Sequence, residues 1–248
     1  MLYIIGIGLG DEKDITLKGL ESIKKCDFVY LENYTSKLTN AKIADLERLY
    51  GKKIIPADRS LIENSNELLQ KSKKNNAAFL VIGDPFGATT HVNLLLEAKK
   101  QNIEVKIIHN TSILNAIGEV GLELYKLGHV TSIPFHNKDI KTAIKVFNKN
   151  YKNDMHTLFL LDLDPINNRY MTVKEAIDYL LRNNINKNIL AVGCSAIGSD
   201  EPEIKADKLE NLKDYDFKKY PQCLIIPAKK LHFIEEEALK LHSSAGST

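Results

Sequence analysis

The chain has little cysteine, no dominant charge of either sign and no long apolar run. Its three cysteines (Cys26, Cys194 and Cys223) lie far apart and form no Cys-x-x-Cys pair, which predicts reduced thiols and argues against a cysteine metal centre. The 34 basic and 32 acidic residues leave a net charge of +2, which is too small to predict nucleic-acid binding. Because we see neither an apolar run of about 18 residues nor a basic leader before an apolar segment, we expect no membrane span, no signal peptide and a cytoplasmic protein.

The first half alternates short apolar runs with amphipathic stretches. This alternation predicts a largely parallel sheet covered by helices on both faces. One of the helical stretches ends at Gly51, a suitable C-cap. The predicted strands are Leu2–Ile7, Phe28–Leu31, Lys53–Ile55, Ala78–Ile82 and Val105–Ile108.

The pattern changes after His109. Asn110-Thr111-Ser112 is suited to cap an apolar helix, 113–120. Further on, strands follow one another without helices between them, which predicts a mixed sheet. The elements predicted there are a strand at 130–135, a lysine-rich helix at 138–149, a strand at 157–163, a helix at 172–182 and strands near 189–194, 203–205 and 222–226. We therefore predict an α/β protein with two domains, 1–110 and 111–241, and a disordered tail, 242–248.

The stretch from Gly83 to His91 is the most informative one. An apolar run ends at Gly83-Asp84-Pro85-Phe86-Gly87, and the small polar residues after it are suited to open a helix. Such a turn forms a pocket floor at the carboxyl end of a buried strand, where open α/β sheets bind ligands. The alternative is a tight turn in which Asp84 bonds only its own backbone.

A second glycine-rich turn, Gly6-Ile7-Gly8-Leu9-Gly10, follows the first predicted strand. A dinucleotide-binding loop is an obvious alternative here, because Glu32 lies about where a ribose-binding acid belongs. The spacing, however, is G-x-G-x-G rather than G-x-G-x-x-G, and no Gly-Lys-Ser/Thr of a Walker loop follows. A dinucleotide-dependent oxidoreductase therefore remains an alternative, as does a simple tight turn.

Taken together, these motifs resemble the class III, or tetrapyrrole-methylase-like, S-adenosylmethionine-dependent methyltransferases, and within them the diphthine synthase family. The segments that carry the resemblance, in order from residue 1 to about 240, are Gly6–Gly10 with Asp14-Ile15-Thr16, Gly83–His91, His109–Ile113, Gly121–Gly128, Arg169–Thr172 and Leu231-His232. The resemblance implies that S-adenosylmethionine binds in a cleft between two α/β domains and leaves as S-adenosylhomocysteine.

The resemblance also implies a protein acceptor. Family members methylate the 3-amino-3-carboxypropyl group on a histidine of translation elongation factor 2, in diphthamide biosynthesis, by direct in-line transfer. It further implies a homodimer that acts without nucleic acid or membrane as partner. The alternatives are another class III enzyme that acts on a tetrapyrrole or ribosomal RNA, the oxidoreductase above, and a binding module without activity.

Eight cofactor contacts follow from the resemblance, position by position: Leu9, Asp84, Gly87, Ser112, Ile113, Leu163, Ile197 and Gln222. Gln222 is a departure, because the family usually has Pro-Leu-His where this chain has Tyr-Pro-Gln. Asp84 is expected to accept from a ribose hydroxyl or the cofactor amine, and the apolar residues to sandwich the ligand. Backbone N–H groups near helix starts are expected to meet a carboxylate or a ring acceptor, at Gly87, Ala88 and Ser112.

We expect no catalytic side chain and no metal. A sulfonium methyl is already an activated electrophile, and an α-amino group with a pKa of about 8 is partly neutral near pH 7. The histidines without ligand spacing are His91, His129, His136 and His156. A stripe of lysines at helical spacing is either merely solvated or a docking surface for a protein substrate: Lys138, Lys141, Lys145, Lys149 and Lys152.

Overall fold

The computed structural model describes residues 1–32, 36–38, 40–58, 66–89, 91–165 and 167–243. The chain forms two compact units. The first comprises Met1–Ala116, Asp164–Asn167 and Gly198–Asp200, and the second comprises Ile117–Leu163, Asn168–Ile197 and Glu201–Thr248. The predicted division into domains 1–110 and 111–241 stays a prediction.

The first unit contains a five-stranded sheet. Its strands are β1 (Leu2–Gly6), β2 (Phe28–Glu32), β3 (Ile55–Ala57), β4 (Ala77–Val81) and β5 (Val105–Ile108). They are ordered β3-β2-β4-β1-β5, and every pair in the sheet is parallel. All residues of β1 and β4 are buried, as expected for central strands covered on both faces.

Helices cover both faces of this sheet. Alternate residues of β1 enter different apolar clusters: Ile5 joins one that contains Ile23 and Leu46, and Ile4 joins another that contains Leu69. The helices are α1 (Leu17–Lys24), α2 (Ile43–Tyr50), α3 (Asn66–Lys74), α4 (Val92–Lys100) and the single turn α5 (Ile113–Ala116). Helix α2 ends at Gly51, whose φ of 66° confirms the predicted C-cap.

The second unit contains a mixed sheet. Its strands are β6 (Thr131–Ile133), β7 (Thr157–Leu161), β10 (Leu190–Ser195), β11 (Glu203–Lys208) and β12 (Gln222–Ile226). They are ordered β11-β10-β12-β7-β6, with a parallel pair, β6–β7, and three antiparallel pairs. A short ladder joins β8 (Leu163–Asp164) to β9 (Arg169–Tyr170). The predicted α/β fold, with one parallel and one mixed sheet, is confirmed.

The helices of the second unit are α6 (Thr142–Lys152), α7 (Val173–Arg182), α8 (Leu209–Leu212) and α9 (Phe233–Leu241). Helices α6 and α7 contribute Phe147 and Ile177 to an apolar cluster that also contains Phe159 and Leu224 of the sheet. The apolar pattern had not indicated α9.

Several predicted boundaries were wrong. The predicted strand 157–163 is interrupted at Asp162, because its carboxylate accepts N–H bonds from Phe135 at 2.8 Å and Leu163 at 2.9 Å. The lysine-rich helix begins at Thr142 rather than 138. The predicted strand Lys53–Ile55 starts at Ile55 instead. The predicted helix 113–120 is α-helical for one turn and continues as a 3₁₀ helix at 117–120.

The first two residues of the predicted tail, His242 and Ser243, pair with Ala206 of β11. The Ala206 N–H donates to the His242 carbonyl at 3.0 Å, and Ser243 forms a bridge with Ala206. Residues 244–248 of the predicted tail, and Thr90 of the Gly83–His91 stretch, lie outside the described residues. In the part of the chain that the structure describes, no helix combines the length and apolar character of a membrane span.

Candidate functional site

Three loops meet at one edge of the first sheet. They follow β1, β4 and β5, which are neighbours in the order β4-β1-β5, so their carboxyl ends lie side by side. Gly8 and Gly83 form an antiparallel bridge in which each N–H donates to the other's carbonyl, at 3.4 and 2.8 Å. Asn110 connects the third loop, because its Nδ2 donates to the carbonyls of Gly6 and Asp14, each at 3.0 Å.

The glycines allow this close approach. A Cβ on Gly6 would lie 2.5 Å from the Gly83 carbonyl oxygen, and one on Gly87 would lie 2.6 Å from the Ser112 Cβ. Gly8 has a φ of +80°, which L side chains rarely adopt. The Gly83–Gly87 turn, predicted to form a pocket floor, is therefore in direct contact with the Gly6–Gly10 loop.

The N–H groups of the Gly6–Gly10 loop bind the Asp14 carboxylate. The Asp14 Oδ2 accepts the N–H of Gly10 at 2.7 Å and the N–H of Leu9 at 3.2 Å. Donors of this kind would bind the pyrophosphate in a dinucleotide fold. Glu32, the proposed ribose acid, is 1% exposed, and its Oε2 lies 3.6 Å from the His91 Nε2. Both observations oppose a dinucleotide site.

Asp84 connects the second loop to the third. Its Oδ1 accepts the Phe86 N–H at 2.9 Å, and its Oδ2 accepts the Asn110 N–H at 3.1 Å and lies 2.8 Å from the His109 Nδ1. Burial raises the pKa of the Asp84 carboxyl, but the three donors outweigh burial and the pKa is lowered. Asp84 is therefore ionised at neutral pH. It bonds the backbone of its own turn at Phe86, and it also bonds the third loop.

Two backbone donors expected to face a ligand are already used. The Gly87 N–H donates to the Asp84 carbonyl at 3.2 Å, which closes the turn. The Ser112 N–H donates to the Asn115 Oδ1 at 2.8 Å, because that side chain folds back over the start of the short helix. We correct the expectation that these two N–H groups are available to a cofactor carboxylate.

The predicted apolar contacts differ in burial. Leu9 and Ile113, in the first unit, and Leu163, in the second, are only partly buried, whereas core residues would be fully buried. Leu9 lies beside glycine backbone, where its Cδ2 is 3.5 Å from the Cβ position of Gly83. Ile197, in the second unit, is 6% exposed.

The Gln222 side chain forms hydrogen bonds within the second unit. Its Oε1 accepts the Val173 N–H at the start of α7, at 2.8 Å, and its Nε2 donates to the carbonyls of Lys219 at 3.0 Å and Phe217 at 3.4 Å. The residue is 5% exposed. Because the side-chain amide is used in this way, the predicted cofactor contact at Gln222 would have to be made by its backbone.

Sequence reasoning missed the polar residues that assemble the loops. Asp14 and His109 were noted as members of motifs but given no role, and Asn110 was expected only to help cap a helix. A signal was present for Asp14, since an acid four residues after the last glycine can reach back to the loop N–H groups. No sequence signal paired Asp84 with His109, because 25 residues separate them. The predicted interdomain cofactor cleft and the eight contacts stay predictions.

The chain matches the model of the tetrapyrrole (corrin/porphyrin) methylases over residues 1–213. It is 43% identical to diphthine methyl ester synthase of Dictyostelium discoideum, over 96% of each chain. It is 41% identical to diphthine methyl ester synthase of Homo sapiens, over 98% of this chain and 95% of that one. A crystal structure of diphthine synthase matches with a TM-score of 0.92 and 38% identity, over 98% of this chain and 97% of that chain.

The parallel sheet, the glycine loops and these matches define a methyltransferase. The chain belongs to the tetrapyrrole methylase family, and within it to the diphthine synthases, as its motifs predicted. The relatives named above are all diphthine synthases, so they give no support to an oxidoreductase.

Proposed function

We propose that this chain transfers methyl groups from S-adenosylmethionine to the amino nitrogen of a 3-amino-3-carboxypropyl-histidine on translation elongation factor 2, in diphthamide biosynthesis. The observation that carries the proposal is identity of 41–43%, over nearly the whole chain, to proteins named diphthine methyl ester synthase. A relative from Archaeoglobus fulgidus named diphthine synthase, 40% identical over 99% of this chain and 96% of that protein, supports the same pathway.

The residues of the first unit fit S-adenosylmethionine. When bound, this cofactor supplies a methyl group on a positively charged sulfur that a neutral amine attacks directly. Leu9 and Ile113 retain accessible apolar surface for its uncharged parts. The ionised Asp84 is suited to its ammonium or ribose hydroxyls. Because Asp14 already uses loop N–H groups, the loop suits a ligand without phosphate.

The second unit is proposed to contribute Leu163, Ile197 and Gln222, the last through its backbone. Gly87 and Ser112, in the first unit, remain proposed contacts through atoms other than their N–H groups. These residues position rather than react. Holding a nucleophile and an electrophile in line accounts for up to about 7–11 kcal/mol of a barrier.

The acceptor protein is proposed to dock on the lysine stripe, defined as Lys138, Lys141, Lys145, Lys149 and Lys152. All five side chains are exposed, and helix α6 contains no acidic residue. Among the described residues, none of the five forms an ion pair, that is, none has its Nζ within 4.0 Å of a carboxylate oxygen. Lys138 and Lys141 precede helix α6, but Lys145 and Lys149 lie four residues apart on it and repel each other, so an acidic surface on the acceptor would relieve the repulsion. We also propose a cytoplasmic homodimer that uses neither nucleic acid nor membrane.

A transfer assay tests the activity. The protein is incubated with methyl-labelled S-adenosylmethionine and elongation factor 2 that carries the 3-amino-3-carboxypropyl group. We expect label on the factor and none on a control factor whose histidine is unmodified. Absence of label would overturn the proposal, and label on a tetrapyrrole or ribosomal RNA instead would identify another class III enzyme. A mass spectrum of the product counts the methyl groups and distinguishes transfer to the amine alone from additional esterification.

A further inference from the structure

The imidazole of His109 is hydrogen-bonded at Nδ1, while most of the side chain is exposed. Its Nδ1 lies 2.8 Å from the Asp84 Oδ2, yet 69% of its side chain is exposed. An ionised carboxylate accepts hydrogen bonds only, so Nδ1 carries the proton and donates it. The neutral ring therefore has its lone pair on Nε2.

The surroundings of the ring are simple. Among the described residues, Asp84 in the loop after β4 is the acid within ion-pair distance of the ring. Phe86 of the same loop meets the ring edge to face, with the two ring centroids 6.3 Å apart. From β5 and the loop after it, Asn110 contributes no charge. From the glycine loop, the Asp14 carboxylate is bound to backbone N–H groups. Asp84 is thus the charged group that orients His109.

The proposed reaction requires removal of protons. An alkylammonium has no lone pair, so each methylation needs a nitrogen that has lost a proton. After one transfer, the methylated nitrogen again carries a positive charge and N–H groups, and must lose a proton before it attacks a second methyl. Because an amine with a pKa of about 8 is mostly protonated near pH 7, a base beside the acceptor would raise the reactive fraction before each transfer.

We infer that His109, oriented by Asp84, is the general base that deprotonates the acceptor amine; this rests on the proposed function. The His109 Nε2 takes a proton from the ammonium, which leaves a neutral amine and an imidazolium paired with Asp84. The amine lone pair forms the N–C bond to the methyl carbon as the C–S bond breaks, and the electron pair of that bond stays on sulfur in a neutral thioether. The imidazolium then gives its proton to water, so the base is restored for the next cycle.

His109 could instead serve only to hold the turn around Asp84, and two variants separate the roles. In His109→Asn, the amide Nδ2 still donates to Asp84 but no basic nitrogen remains. In His109→Ala, both the donor and the base are lost. Because the ring is largely exposed, neither change disturbs an apolar core. The control is His136→Asn, which removes an exposed histidine of the second unit.

The readouts are kcat on modified elongation factor 2 as a function of pH and the Kd of S-adenosylmethionine. We expect His109→Asn to lower kcat about tenfold near pH 7, where an amine with a pKa of about 8 is about one-tenth neutral, with an unchanged Kd, and His136→Asn to have no effect. The deficit should shrink as pH rises above about 8, where the amine loses its proton unaided, and added imidazole should restore part of the rate.

Wild-type kcat in His109→Asn, with a loss only in His109→Ala, would overturn the inference and assign His109 to holding the turn. A deficit in His109→Asn that is equal at every pH, without rescue by imidazole, would overturn it as well. If the wild-type protein itself transfers no methyl, the proposed function fails and the inference fails with it. If the wild type transfers methyl and His109→Asn equals it at all pH values, the inference alone fails.

Discussion

The Asp14 carboxylate lies inside the glycine loop of its own chain, with Oδ2 2.7 Å from the Gly10 nitrogen. The loop positions that bind phosphate in other α/β folds are here satisfied internally. This contact fixes the loop conformation without a ligand, and Leu9 beside it is only partly buried.

Asp14→Ala tests this contact. The N–H groups of Leu9 and Gly10 would lose their acceptor, so we expect the free energy of unfolding to fall by about 1–2 kcal/mol and S-adenosylmethionine to bind more weakly. Urea unfolding and calorimetric titration measure the two effects. The control is Glu21→Ala, an exposed acid of α1. Equal stability of the two variants would show that Asp14 contributes nothing to the loop.

Gly6→Ala tests the contact between the two glycine loops. The added Cβ would lie 2.5 Å from the Gly83 carbonyl oxygen, which is backbone and has to move. We expect a loss of about 1–3 kcal/mol in stability and loss of cofactor binding. Gly51→Ala is the matched control: its φ of +66° is strained for alanine, but nothing lies within 4 Å of the Cβ. It should cost about 1–2 kcal/mol of stability and leave cofactor affinity unchanged. Retained affinity in Gly6→Ala would contradict the proposed pocket floor.

Gln222→Ala tests whether this side chain is structural. Removal of the amide would leave the buried Val173 N–H without its acceptor, so we expect unfolding to become easier by about 1–3 kcal/mol. Affinity for S-adenosylmethionine, measured on the fraction that remains folded, should change little, because the proposed contact is made by backbone. Gln70→Ala, on the exposed face of α3, controls for loss of an amide. Intact stability with a large loss of affinity would place the amide in the cofactor site instead.

Glu235 predicts a pH dependence of stability. The carboxylate is 0% exposed and accepts from the Lys126 Nζ at 2.7 Å, the His156 Nε2 at 2.9 Å and the N–H groups of Glu123 and His232. Burial raises the pKa of Glu235, but these donors outweigh it and lower the pKa from 4.5 to about 2. The folded state therefore holds the proton less tightly than the unfolded state. The stabilisation is complete above pH 4.5 and is lost as pH falls toward 2.

Glu235→Gln should remove this dependence. The pKa difference corresponds to about 3 kcal/mol, so we expect the variant to be less stable than wild type by about that amount at pH 7. The difference should shrink steadily below pH 4.5. Urea unfolding at a series of pH values measures it, with Glu236→Gln, the exposed neighbour, as control. A stability difference that is independent of pH would contradict the argument.

Charge reversal tests the lysine stripe. Lys141→Glu, Lys145→Glu and Lys149→Glu in one protein should lower kcat/KM for intact modified elongation factor 2 by at least about tenfold at low salt, and less at high salt, where surface charges are screened. The affinity for S-adenosylmethionine should not change. The same reversal at the exposed Lys73, Lys74 and Lys99 of the first unit is the control. Unchanged kcat/KM in the stripe variant would leave the lysines as merely solvated.

The sequence by itself determined the fold class and the family. Apolar alternation fixed the parallel sheet, because period and spacing are local properties, and glycines at fixed spacing marked two of the three loops that meet at its edge. Predicted element boundaries were wrong where a polar group forms a hydrogen bond with a distant part of the chain. The Asp162 carboxylate, for example, ends a strand by accepting the Phe135 N–H.

Only the tertiary structure decided which groups within each unit are already hydrogen-bonded inside the chain. Asp14 in the glycine loop, Gln222 under helix α7, and the Gly87 and Ser112 N–H groups are all satisfied within the chain. The pairing of Asp84 with His109 joins residues from two loops. A sequence shows which donors and acceptors exist, but hydrogen bonds are directional and short, so their partners are set by the folded backbone.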